Sequence, residues 1–251
     1  MEKDIEQNII KLRKEFKRIK NKGYIKGVYN NISSIGRTFE TELGLDENYF
    51  SIADYYGIEI KTRRAYSTSA ITLFTSVPDG EDLFEIERLK NTYGYPCKLD
   101  RKFKVLYGEV YGNKVNGIGV NYKYKLDVDR NERKVYLCVL DRYLNLIEKK
   151  VYWSFDYLEE RIMNKLRYLA IINTWTNDID KWPYFKYYKM DIYKLISFNK
   201  FLDLIDSGVI YIKLLMGVHL DEKRYGQTYD HGSGFVIEFK NIPKLFNLLE
   251  E

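Results

Sequence analysis

With 251 residues, 45% of them hydrophobic, the chain can bury a sizeable core as one large domain or two joined lobes, and it is not a disordered tail. A net charge of +5, from 41 Lys and Arg against 36 Asp and Glu, is too mild an excess to imply a polyanionic partner by itself. Cys97 and Cys138 lack any ligand spacing, which argues against zinc and a disulfide framework, and no window reaches the ~18 apolar residues of a membrane span. A soluble, cytoplasmic protein without a membrane partner is expected.

From the N-terminus, Ile5, Ile9, Leu12, Phe16 and Ile19 recur three and four apart and predict an amphipathic helix over Lys3–Lys22, stopped by Gly23. Its outer face, Lys11, Lys14, Lys17, Arg18, Lys20 and Lys22, reads either as a solvated surface or as a flank that touches phosphates. A Gly-, Asn- and Ser-rich loop leads to a second helix near Arg37–Leu43, ended by Gly44. Strands follow at Ile58–Arg63 and Ser69–Val77, and the short link Arg64–Thr68 predicts that the two form a hairpin. A short helix over Asp82–Asn91 precedes a strand over Lys104–Tyr111. Tyr122–Val128, Lys134–Leu140 and Glu148–Trp153 then read as a β-meander.

Ser154 suits the N-cap of a helix over Phe155–Ile172, whose apolar stripe is Leu158, Ile162, Leu166, Leu169 and Ile172. Trp175 and Trp182 flank what reads as a polar loop. Ser197–Gly208 predicts a helix, Val209–Gly217 a strand, and Asn241–Leu249 a closing helix with Pro243 in its first turn.

The densest chemistry lies in ADYYGIEIKTRR, residues 53–64. On a strand, Glu59 and Lys61 share one face while Ile58, Ile60 and Thr62 share the other. A tight turn at Gly57 would fold Asp54 back toward Glu59. This is the D…ExK spacing of metal-dependent nucleases. Hard divalent cations prefer oxygen ligands, so Asp54, Glu59 and the Ile60 carbonyl could hold Mg2+, with Mn2+ able to substitute. Lys61 would orient a water or offset charge on a phosphodiester. Taken alone the pattern has an ordinary reading, a solvated Glu–Lys pair on a half-buried strand. Arg63 and Arg64 likewise read as phosphate contacts or as simple solubilising charges.

The surroundings of the motif decide between these readings. Ile35-Gly36-Arg37-Thr38-Phe39-Glu40, Leu43-Gly44, Asn48, Asp54, Gly57-Ile58-Glu59-Ile60-Lys61 and Thr72-Leu73-Phe74-Thr75 resemble the MvaI/BcnI family of restriction endonucleases. They are more distantly similar to MutH, in the same branch of the PD-(D/E)xK nucleases. The Trp-Ser…Lys165-Leu166 pattern and His231-Gly232-Ser233-Gly234-Phe235 carry the likeness almost to the end of the chain. Ala53 departs from it, where a Pro often precedes the metal-binding Asp.

The resemblance implies an α/β protein with a restriction-endonuclease-like mixed sheet flanked by helices, in two lobes around a DNA cleft. The expected division is a catalytic lobe over 1–108 and a recognition lobe over 109–251, whose C-terminal helix packs back on the catalytic lobe. It implies that Glu40 joins Asp54, Glu59 and Lys61 in catalysis. Contacts to double-stranded DNA would come from Arg37, Arg63, Arg64, His219, Arg224, Tyr229, Asp230 and His231. Within that set Asp230 could accept from a cytosine amino group, and His231 or Arg224 could donate to guanine. Tyr229 stands where some relatives have His.

The implied activity is that of a type II restriction enzyme, acting as a monomer by sequential nicking and paired with a DNA methyltransferase. Two alternatives stay open: a MutH-like nicking enzyme that needs a partner, and a catalytically silent DNA-binding module.

Overall fold

The computed structural model describes residues 2–45, 53–79, 83–230 and 232–250. Along the chain, α1 (Glu2–Asn21) is followed by β1 (Ile25–Lys26), α2 (Ile35–Glu42), β2 (Glu59–Arg64) and β3 (Ala70–Thr75). Next come α3 (Leu83–Tyr93), β4 (Tyr95–Pro96), β5 (Lys104–Val110), β6 (Asn116–Ile118), β7 (Tyr122–Asp129), β8 (Lys134–Leu140) and β9 (Leu146–Ser154). The last part holds α4 (Phe155–Lys165), β10 (Tyr168–Ile179), β11 (Trp182–Leu195), α5 (Phe198–Asp206) and β12 (Ile210–Val218). It closes with β13 (Thr228–Asp230), β14 (Gly234–Glu238), α6 (Ile242–Leu245) and β15 (Phe246–Leu249). Among the described residues no helix is long and apolar enough to cross a membrane.

The elements form two interleaved units rather than following a boundary near residue 108. The first comprises residues 1–69, 160–196 and 243–251, the second residues 70–159 and 197–242. In the first unit the sheet runs β1-β11-β10-β2, with β15 also pairing β11. β2 lies parallel to β10, with Glu59 beside Leu169, Lys61 beside Ile171 and Arg63 beside Asn173. The apolar stripe of α1, Leu12, Phe16 and Ile19, packs with Phe39 of α2 against Ile58, Ile60, Ala170, Ile172 and Tyr187. Each of the Leu, Ile and Phe side chains among these, withdrawn from water, contributes on the order of 1.5–3 kcal/mol. The Phe39 ring lies 4.9 Å from that of Tyr187, whose hydroxyl donates to the Ile35 carbonyl at 2.8 Å.

The second unit holds one sheet in the order β3-β14-β12-β5-β4, with β13 on β12, and the meander β6-β7-β8-β9. Phe74, Phe201, Phe235 and Trp153 meet in its core. Glu148 of β9 is buried there, gripped by both Arg88 nitrogens at 2.7 and 3.0 Å and by the Tyr93 hydroxyl at 2.7 Å.

Four local expectations give way. β2 and β3 do not form a hairpin: after Arg64 the Ala65 N–H still bonds to Thr174 O, and β3 pairs β14 in another sheet. The helix from Phe155 stops at Lys165, because Tyr168–Thr174 are all buried between strands on both sides; such a run carries no usable helical stripe. Trp175–Trp182 is the tip of the β10–β11 hairpin, turned at Asp180 and Lys181 with φ of 52° and 62° rather than at glycine. Only Ile242–Leu245 is α-helical at the end, and Phe246–Leu249 instead adds a strand to β11.

Candidate active site

The turn before β2 builds the site. Tyr55 and Ile58 exchange both backbone hydrogen bonds at 2.9 Å, and Tyr56 and Gly57 between them have φ of 44° and 91°. That is a two-residue primed turn, in which positive φ at both positions matches the strand twist. It folds Asp54 back so that Oδ2 accepts from the Ile60 N–H at 2.9 Å. The N–H and C=O of one strand residue point to the same side, so the Ile60 carbonyl faces the same free edge of β2 as Asp54.

Glu59 is 1% exposed. Its Oε1 accepts from Lys61 Nζ at 2.6 Å, and Lys165 Nζ stands 3.5 Å away. Its Oε2 is buried and meets no hydrogen-bond donor. Burial pushes the Glu59 carboxyl above its ordinary pKa; Lys61 and Lys165 pull it down and the Asp54 charge pushes it further up.

Glu40 comes from α2, whose first turn lies close to β2: a Cβ on Gly36 would stand in ordinary contact with Thr62 Oγ1, at 3.4 Å, and with Glu40 Oε1, at 3.9 Å. Glu40 also titrates high, through burial first and the Asp54 charge second, against the lowering effect of Arg37. Arg37 lies 3.5 Å from Glu40 Oε2 and donates to the Leu45 carbonyl at 3.3 Å. Glu40, Asp54, Glu59 and Lys61 thus share one neighbourhood. Lys165 joins them from the end of α4, a residue to which the sequence pattern assigned no role. Its signal was weak, since only the folded sheet brings that helix end to β2.

Arg63 extends the same face of β2, donating to Asn173 Oδ1 at 3.1 Å and to the Ser67 carbonyl, and Arg64 is exposed at the strand end. In the second unit, His219 Nδ1 lies 3.4 Å from Asp221, which also pairs with Arg224 at 3.2 Å. The His219 ring packs 4.5 Å from that of Tyr229, whose hydroxyl is 3.0 Å from that of Tyr107. Asp230 Oδ1 accepts from the Gly232 and Ser233 N–H groups at 3.1 and 2.7 Å, so this carboxylate shapes its own loop. His231 lies outside the described residues, as does Asn48.

Compared with known protein families, residues 13–246 match the model of the MvaI/BcnI restriction endonuclease family. The chain belongs to this family. MvaI/BcnI enzymes are DNA endonucleases, and the four clustered side chains fall on the segment that carries the family likeness. Two solved structures of one restriction endonuclease, MvaI, are similar to this MvaI/BcnI member. MvaI in complex with its cognate DNA substrate matches with a TM-score of 0.85 and 28% identity, over 95% of this chain and 96% of that one. MvaI in the absence of DNA matches with a TM-score of 0.62 and 24% identity, over 96% of each chain. No curated protein matches the chain.

Proposed function

We propose that the protein is a sequence-specific, Mg2+-dependent type II endonuclease that hydrolyses double-stranded DNA as a monomer, nicking one strand and then the other. The observation that carries this reading is Glu59: a nearly fully buried carboxylate with one oxygen on two ammonium groups and the other without a donor. A buried charged oxygen left without a partner is strongly disfavoured, and a cation removes that penalty. The donor set fits a hard divalent ion: Asp54, Glu59 and the Ile60 carbonyl supply oxygen only. Among the described residues no three His, Cys, Asp or Glu side chains are placed to hold one ion, so water and DNA would supply the remaining ligands.

A divalent cation there supplies Lewis acidity and a lowered water pKa. The chain's own groups do the positioning. Asp54 is fixed by the Ile60 N–H and Glu59 by Lys61 and Lys165. The Lys61 charge would offset the negative charge that builds on the phosphate oxygens as water, giving up a proton, attacks phosphorus and the P–O bond to the leaving oxygen breaks. Glu40, raised in pKa beside Asp54 and paired with Arg37, takes part through water or by holding Arg37 in place. The first unit is the catalytic lobe, with Arg37, Arg63 and Arg64 toward the DNA backbone. The second unit, through His219, Arg224, Tyr229, Asp230 and His231, reads the bases. A methyltransferase of the same specificity would protect host DNA.

Incubating the purified protein with plasmid and viral DNA, in Mg2+ or in chelator, and sequencing the ends tests this. Discrete Mg2+-dependent fragments with one shared end sequence are expected. Lys61→Ala and Glu59→Ala should each reduce cleavage by roughly 10²–10³-fold or more while leaving the circular dichroism spectrum unchanged. Wild-type cleavage by either variant would remove the site assignment.

A further inference from the structure

The face of β2 that carries Glu59, Lys61 and Arg63 continues, across the pairing of Arg63 with Asn173, to Trp175 of β10. Two irregularities of the backbone converge on this tryptophan. Pairing of β10 with β11 passes from Asn173–Lys189 to Thr174–Tyr187, so Tyr188 is the extra residue of a bulge. Bulges re-aim side chains, and this one turns the Tyr188 ring onto Trp175, 5.1 Å between centroids and 25° between planes. At the exit of β2, Tyr66 is held at φ 62°, a left-handed conformation unfavourable for a bulky residue, and its ring meets Trp175 edge-on at 5.3 Å. Neither irregularity serves a core: Tyr66 is 86% exposed and Trp175 36%. Lys186, the cross-strand partner of Trp175, and Lys189, the partner of Asn173, are exposed on the same face, with Lys189 also 2.9 Å from Asp191.

We infer that Tyr66, Trp175 and Tyr188 form a stacking platform for an unpaired nucleobase of a DNA strand, with Arg63, Lys186 and Lys189 receiving the phosphates on either side. An aromatic surface between cations is the arrangement that binds single-stranded nucleic acid without reading its sequence. From Glu59 to the level of Trp175 is about six residues of strand, roughly 20 Å, or on the order of six nucleotide steps. The platform therefore engages the flank of a bound site, where a frayed or extruded base can reach it. This rests on the proposed DNA cleavage, which brings a strand to the face.

The test uses the full-length protein in chelator with two short single-stranded oligonucleotides, one natural and one carrying abasic positions. Natural oligonucleotide should quench tryptophan fluorescence, and Trp175→Leu should abolish that quenching. Trp175→Ala should weaken binding of the natural oligonucleotide at least about fivefold, Trp175→Tyr should restore it, and the abasic oligonucleotide should bind wild type and Trp175→Ala alike. Equal affinity of wild type for both oligonucleotides, or equal loss for both in Trp175→Ala, would overturn the platform. Plasmid cleavage by wild type in Mg2+ is scored alongside: an enzyme that cuts but shows no base-dependent binding loses the platform alone, and one that does not cut loses the functional reading.

Discussion

Two ammonium groups stand beside Glu59, yet burial and the Asp54 charge outweigh them, and its carboxyl titrates above the ordinary range. Between the unfolded value and this raised value the native state binds more protons than the unfolded state, so the contribution of Glu59 to stability falls as pH rises through that window. A neutral isostere escapes this. Without divalent metal, Glu59→Gln should therefore melt higher than wild type at pH 8, and the difference should shrink as pH falls toward the ordinary carboxylate range. Mg2+ should raise the melting temperature of wild type, more so at higher pH, and leave Glu59→Gln unmoved. Differential scanning fluorimetry across pH, with and without Mg2+, reads both effects; an equal Mg2+ shift in the variant would place the cation elsewhere. The juxtaposition of Asp54, Glu59 and Lys61 was legible in the sequence because one turn and one strand bring them together. Lys165 was not, because its approach to Glu59 depends on β10 lying parallel to β2.

At the scale of elements, the hinge of the site is the turn Tyr56–Gly57. A Cβ at Gly57 would meet only Ile5 Cδ1, at 3.5 Å, so space is not the obstacle; the φ of 91° is. Gly57→Ala should lower stability by about 1–2 kcal/mol in urea unfolding, and Gly57→Asn, which tolerates the left-handed region, by less. Since Asp54 reaches the Ile60 N–H only through this turn, cleavage should fall in the same order. A Gly57→Ala variant with unchanged cleavage would show that Asp54 is held by something other than the turn. The same local logic explains which elements could be read in advance. The α1 stripe, the α2 cap at Gly44 and the β7–β8–β9 meander follow from periodicity and turn residues. β10 hid because its first half, Tyr168–Thr174, is buried on both faces and so shows no alternation, and the hairpin to β11 hid because its turn at Asp180–Lys181 contains no glycine.

For the whole molecule, the chain leaves the first unit after Ser69, re-enters it at Glu160, leaves after Ile196 and returns at Pro243. The sheet that carries Glu59 is therefore assembled from three distant stretches. β2 lies against β10, β10 against β11, and β11 is completed by β15 from the last residues of the chain. Phe246 opens that last strand with 1% of its surface exposed, although it belongs to no catalytic group. Phe246→Ala should cost about 3–5 kcal/mol of unfolding free energy, the range for deleting a buried aromatic ring. A cut at residue 108 makes the stronger case: the fragment 1–108 lacks β10, β11 and β15, and the fragment 109–251 lacks β2 and β3. Neither fragment purified alone should show a cooperative urea transition or cut DNA, because each unit would lose strands that hydrogen-bond its remaining ones. A cooperative transition in 1–108 would mean that β2 finds its stability in α1 and α2 alone, and that the distant strands serve to shape the site rather than to hold it.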